Sequence, residues 1–392
     1  MRYQVPLAVA ILSLSVFVSS CQQGRSAEVS SNPQTMNPAP SPEPTQVANA
    51  EPVQLKGPNA VPKDTRIVVN IPAFRMDVFR EGALLKSYKI GIGYPQFPLP
   101  TGFRKAEVII FNPTWTQPNE SWASNPGLVV PAGAAGNPLG PIKVPIGGAN
   151  LIHGGKDLVK IGTFASHGCV GLTNEQVKDF AKTLAQATDT ELKEDTMAWY
   201  LKKRSVTQVV KLARLVPVEL RYETLVIEDG KLHIYRDVYN KKGNTEDNLR
   251  AVFDANGLSF DGVGAEAKTE MLDALDAMSG RIKKSVALAP SPIANQTKEE
   301  KLAAAAARKA EADRLRSLRA QKEIVIDLSS LSGKGYPSPV NLNTGAEYIV
   351  RNAEQPTIPV TPKPKRPRRN PTPAPQSTPE LVPTPRSTAS PQ

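Results

Sequence analysis

The chain has 392 residues, and Lys+Arg 48 against Asp+Glu 37 gives a formal net charge of +11, which points to an anionic partner without naming it. Many of its 37 prolines lie before residue 63 or after residue 355, in Pro/Ser/Thr-rich stretches that bury little apolar surface, so the globular part is expected at roughly 65–260. Neither zinc-type Cys/His spacing nor a Gly-rich phosphate fingerprint occurs, so neither a metal nor a nucleotide cofactor is implied.

Arg2 and the apolar run from Val5 to Val18 read as an export leader, because the run is too short to span a bilayer comfortably. It stops at Val18-Ser19-Ser20-Cys21, the aliphatic-small-small-Cys pattern of a bacterial lipobox. A leader over 1–21 with lipid on Cys21 is expected; the alternative is a plain secretory leader with an incidental cysteine. Three acyl chains on that residue would hold the protein far more firmly than one. Gln22 and Gln23 carry no Asp retention signal, so the expected location is the outer membrane, facing the periplasm.

Residues 22–62 form a polar, Pro-containing tether, able to reach roughly 120 Å if fully extended. Strand signals begin at Arg66–Asn70 and alternate through Phe74, Met76 and Val78. A turn at Arg80–Ala83 precedes a returning strand over Leu84–Ile92. Short β-rich runs follow at Ala106–Phe111, Ile142–Pro145 and Asn150–His153, with Gly and Pro between them, which predicts a mainly antiparallel β domain. Thr173 with Gln176 fits a capping box, and Val177, Phe180, Ala181 and Leu184 recur at helical spacing behind it. Two further strands, Val216–Tyr222 and Lys231–Asp237, are expected to close the sheet.

Beyond this domain, assigned to 63–260, the spacing predicts a helical extension over 261–325. Met271, Leu275, Met278 and Ile282 form a narrow apolar stripe, and Thr297 opens a charged, Ala-rich helix running to about Gln321. Residues 326–392 read as a Pro-rich tail, basic at Lys363, Lys365, Arg366, Arg368 and Arg369. In an exported protein such a run meets anionic envelope polymers or only solvent, not nucleic acid.

The chemistry centres on Cys169. The chain has two cysteines and three histidines, His153, His167 and His233. Cys169 lies in Ser166-His167-Gly168-Cys169-Val170, downstream of Leu151-Ile152-His153-Gly154-Gly155. If Cys21 carries lipid, Cys169 has no partner in the chain, and an unpaired thiol is a liability in an oxidising compartment unless its reactivity is used. The alternative is a small buried apolar cysteine. A thiol with a nearby imidazole can transfer acyl groups. Cys169 is the expected nucleophile and His153 its base, with Gly154 or a neighbouring carbonyl orienting the ring. The N–H groups of Gly168 and Cys169 are expected to bind the oxyanion, and Gly168 permits close backbone approach. Ser166 and His167 are assigned to loop or substrate support, and His233 to structure. Trp115 and Trp122 either line a groove or pack in the core. Pairing with His153 is expected to raise the thiolate fraction.

These two motifs resemble the catalytic signature of the L,D-transpeptidases, the YkuD-type cell-wall enzymes. YKIGIG at 88–93, Pro100-Thr101-Gly102, Asn112–Trp115, Val130–Gly133 and Asn137–Gly140 resemble the ErfK/YbiS branch, so the likeness spans roughly 65–240. The resemblance implies a β-sandwich catalytic domain with a short helix after the catalytic loop. It implies attack on the bond between meso-diaminopimelate and D-alanine in tetrapeptide stems of peptidoglycan, through a cysteinyl thioester. The acceptor is then another diaminopimelate or a lysine of an outer-membrane lipoprotein. Rival outcomes are hydrolysis of the same acyl-enzyme, or a non-catalytic peptidoglycan-binding lipoprotein. One departure stands out: many relatives have Arg, and others Asn, two residues after the cysteine, where this chain has Gly171.

Overall fold

The computed structural model describes residues 53–279, 297–328, 330 and 332–347, and all structural statements concern these. Cys21, Ile282, the tether before residue 53 and the basic residues Lys363 to Arg369 lie outside them.

The order along the chain is β1 (Arg66–Asn70), β2 (Arg75–Arg80), β3 (Ala83–Lys89), β4 (Ile92–Gly93), β5 (Gly102–Phe111), β6 (Trp115–Thr116) and β7 (Val129–Val130). β8 (Ile142–Pro145), β9 (Leu151–His153), β10 (Phe164–Ser166) and β11 (Val170–Gly171) lead into helices α1 (Asn174–Ala187) and α2 (Glu194–Lys202). β12 (Gln208–Arg221), β13 (Leu225–Glu228), β14 (Lys231–Tyr235), α3 (Glu246–Ala255), α4 (Ala265–Met278), α5 (Lys298–Ala320) and β15 (Glu323–Asp327) follow.

Eight strands form one sheet in the order β11-β9-β8-β5-β12-β1-β2-β3. Most neighbours are antiparallel, as expected, but β1 pairs with β12 and β9 with β11 in parallel. The sheet curls until its ends meet. Gly91, two residues past β3, exchanges both backbone hydrogen bonds with Gly171 of β11, each at 2.8 Å. Only glycine fits at 91, because a Cβ there would stand 2.6 Å from the Ala165 Cβ.

Helix α1 packs against the sheet. Its capping box is complete, with Gln176 N–H donating to Thr173 Oγ1 at 3.1 Å and Thr173 N–H to Gln176 Oε1 at 3.0 Å. Val177, Phe180, Ala181 and Leu184 are fully buried at 0% exposure, so the spacing that predicted the helix also defines its core face. Removing a Leu- or Phe-sized side chain from water stabilises the fold by about 1.5–3 kcal/mol. The fold is mainly β, with a short helix after the cysteine loop.

The expectation that Lys231–Asp237 closes this sheet is corrected. β14 pairs instead with β13 and β15 in a separate three-stranded sheet. The cause is local: Glu228 faces Lys231 across a two-residue turn in which Asp229 (φ 45°) and Gly230 (φ 80°) are both left-handed, the requirement of a tight hairpin. This sheet buries Leu225, Ile227, Leu232 and Ile234 against Leu249, Phe253, Met271, Leu275 and Met278. The expected divisions at 260/261 and 325/326 thus fall inside one apolar cluster, and α4 has a core to bury its stripe in.

Buried charges knit this layer to the main sheet. Arg75 pairs with Asp77 at 2.9 Å and with Glu228, and Tyr336 Oη donates to Asp77 at 3.1 Å. The segment holding Tyr336 continues along the outer edge of β3. Ser87 N–H donates to Val340 O at 2.9 Å, Lys89 N–H to Asn343 O at 2.9 Å, and Asn343 N–H to Ser87 O at 2.8 Å.

Candidate active site

His153 ends β9 and Cys169 precedes β11, the parallel neighbour of β9, with Gly171 opposite His153 in register. Side-chain and backbone contacts tie the two segments together: Leu172 N–H donates to His153 O at 2.8 Å, Lys156 N–H to Leu172 O at 3.1 Å, and Gly155 N–H to Asn174 Oδ1 at 2.8 Å. The sheet therefore brings the expected nucleophile and base into one region, and β9 is what positions the imidazole.

His153 is 4% exposed and its Nδ1 lies 2.7 Å from Gly154 O. A carbonyl oxygen only accepts, so Nδ1 carries the proton and Nε2 presents its lone pair. Burial, then Lys156, drives the His153 pKa down to about 3, so the ring is neutral at ordinary pH. Burial also pushes the Cys169 thiol up, opposed by a hydrogen bond from the backbone of Leu151 and by the charge of Lys156. Both directions favour a neutral thiol beside a neutral imidazole. Desolvation thus works against the gain in thiolate expected from pairing with His153. No thiol–imidazole hydrogen bond is present either, since Cys169 S–H points at Ala149 O, 3.9 Å away. Contacts of this kind commonly tighten only when substrate binds.

The oxyanion expectation is half corrected. Ser166 Oγ donates to Cys169 O at 2.6 Å and accepts from Cys169 N–H at 3.0 Å, so the cysteine amide is already engaged. Ser166 Oγ thus holds both the amide and the carbonyl of Cys169. Gly168 (φ 94°) keeps an N–H without a partner among the described residues. Of the two expected amides, only that of Gly168 is left without an acceptor among the described residues. Asn150 Nδ2 donates to Gly168 O at 2.6 Å, a brace that the sequence motif did not reveal.

His167 is exposed but caged. Trp122 stacks on its ring at 4.1 Å and 14°, and Tyr94 and Phe97 lie 5.4 and 5.0 Å away. Trp122 thereby stacks beside the Cys169 loop, whereas Trp115 sits in the β6–β7 hairpin. His233 lies elsewhere, paired with Glu323 across β14 and β15. Two lysines outside the motifs also act on His153. Lys143 on β8 and Lys156 both lie close enough to His153 to oppose its protonation, and burial lowers the pKa of each. Nothing in a lone Lys after His-Gly-Gly signals such a role in sequence.

Residues 64–206 match the model of the YkuD family, described as the L,D-transpeptidase catalytic domain. The match ends before β12, although β12 completes the sheet between β5 and β1. Among solved structures, an L,D-transpeptidase from Mycobacterium smegmatis is 18% identical, with 40% of this chain and 58% of that chain covered and a TM-score of 0.24. The catalytic domain of an E. faecium L,D-transpeptidase is 16% identical over 41% of this chain and 98% of that one, TM-score 0.27. One from Mycobacterium tuberculosis H37Rv is 15% identical over 40% and 57%, TM-score 0.23. The chain thus spans less than two thirds of the length of the two mycobacterial proteins. No curated protein matches it.

Proposed function

We propose that the protein is a peptidoglycan L,D-transpeptidase that works through a thioester on Cys169. The observation that carries this reading is a neutral, tautomer-fixed His153 on the strand beside Cys169 within the stretch that matches the YkuD family. Sγ attacks the meso-diaminopimelate carbonyl of a tetrapeptide stem while His153 Nε2 takes the S–H proton. The Gly168 N–H receives the charge that develops on the carbonyl oxygen. The C–N bond breaks, the D-alanine nitrogen leaves with the proton from His153, and an acyl thioester remains. An acceptor amine then attacks, passes its proton to His153, and displaces the sulfur, which recovers that proton. The acceptor is a second diaminopimelate or a lysine of an outer-membrane lipoprotein.

The leader at 1–21, lipid on Cys21 and the tether over 22–62 would hold the domain on the outer membrane, within reach of the wall. Incubation of the protein with tetrapeptide muropeptides, followed by mass spectrometry, tests the activity. Crosslinked dimers are expected. Tripeptide monomers alone would mean that water is the acceptor, and unchanged substrate would overturn the enzymatic reading.

A further inference from the structure

The gap left by Gly171 is filled. An ideal Cβ at that position would meet Lys156 Cγ at 2.9 Å, Cε at 3.0 Å and Cδ at 3.4 Å, so the lysine stem lies directly over the glycine. The backbone sets it there, because Lys156 N–H bonds Leu172 O, the residue following Gly171. Lys156 is half-buried, and no carboxylate forms an ion pair with its ammonium among the described residues. A desolvated cation that is ion-paired to no carboxylate favours the anionic form of a thiol near it.

We propose that Lys156, seated over Gly171, is the positioning residue whose charge stabilises the Cys169 thiolate and thereby sets the reactivity of the nucleophile. The inference rests on the reading of Cys169 as the reactive thiol. Its influence is felt on Cys169, where it favours the anion, and on His153 and His167, whose protonation it opposes. The other charges nearby are Lys143 of β8, facing His153, and Asp157 and Lys160, in the turn that follows Lys156. Lys160 has the same sign as Lys156, and Asp157 opposes it from the solvent side, where both are exposed. The glycine is then a requirement for the lysine, because any side chain at 171 displaces the stem.

The test is the pH profile of Cys169 alkylation by iodoacetamide, a neutral reagent, in the full-length protein, read by mass spectrometry of the Cys169 peptide. This readout does not depend on turnover of stem peptides, so its failure is separate from failure of the transpeptidase reading. Lys156→Met keeps the stem and removes the charge. It is expected to move the profile about one pH unit upward, within the range for loss of a nearby opposite charge. Lys156→Arg should restore the wild-type profile, and Gly171→Ala should shift it as Lys156→Met does. The double variant Lys156→Met/Gly171→Ala should be no worse than either single change, because both remove the same cation. An unmoved profile in Lys156→Met, or additive shifts in the double variant, would overturn the proposal.

Discussion

Lowering the pH should destabilise this protein to an extent that His153 sets. Its pKa is about 6.5 in the unfolded chain and about 3 in the native state, where burial excludes the charge. Between those values the unfolded state binds the proton and the native state does not, so stability rises with pH through the window and falls as pH drops through it. At about 1.36 kcal/mol per unit, moving from pH 7 to 4.5 costs about 2.5 kcal/mol at this one site. The cost is large against a typical total of about 5–15 kcal/mol. Urea denaturation of wild type and His153→Asn at pH 7 and 4.5 measures it as a difference of differences, so carboxylates elsewhere cancel. The same shift implies that acylation of Cys169 by a carbapenem has no acid limb near 6.5 and climbs with pH toward the raised thiol. Equal acid sensitivity of the two proteins, together with an inflection near 6.5 in the acylation profile, would refute the reasoning. It would mean that the ring is hydrated or charged in the native state.

Cys169→Ala should fold normally and accept no carbapenem mass, since a methyl group cannot attack a carbonyl. In single-turnover acylation His153→Ala should lose about a hundredfold to ten-thousandfold, the usual worth of a general base, whereas His167→Ala, which loses only its aromatic cage, should lose far less. Arg75→Met leaves Asp77 and Glu228 without their shared cation, and should lower stability by about 3–5 kcal/mol in urea. Cys21→Ser should abolish incorporation of a fatty-acid analogue while leaving activity on soluble muropeptides intact; equal labelling of variant and wild type would rule out Cys21 as the attachment site.

Local chemistry was the part of this molecule that could be read in advance. The Thr173/Gln176 box and the apolar spacing behind it depend on contacts three or four residues apart, and the helix forms where they placed it. The strand at Arg66–Asn70 and that at Ile142–Pro145 likewise follow from short runs. The second core was illegible as a unit because β15 joins β14 across some ninety intervening residues, as in the pairing of His233 with Glu323. Its one local cue is Asp229-Gly230 between apolar runs, a hairpin signal. Within the site, the motif named the cysteine and histidine but not how their backbone groups are spent. That the Cys169 amide serves Ser166 and that Lys156 overlies Gly171 are consequences of tertiary contact, invisible to spacing.

The segment from Tyr336 to Asn343 has a consequence for how the molecule is made. Its bond to Asp77 spans 259 residues and the one between Val340 and Ser87 spans 253. Contacts so distant in the chain are slow to form, because a large loop must close before they repay its entropy. During synthesis, the outer edge of β3 stays open until nearly 340 residues have been made. Until then its unpaired amides and carbonyls are a template for any other strand. A chain cut short before Tyr336 would carry both catalytic motifs and yet present that raw edge, so aggregation, rather than loss of chemistry, is the failure expected of such fragments.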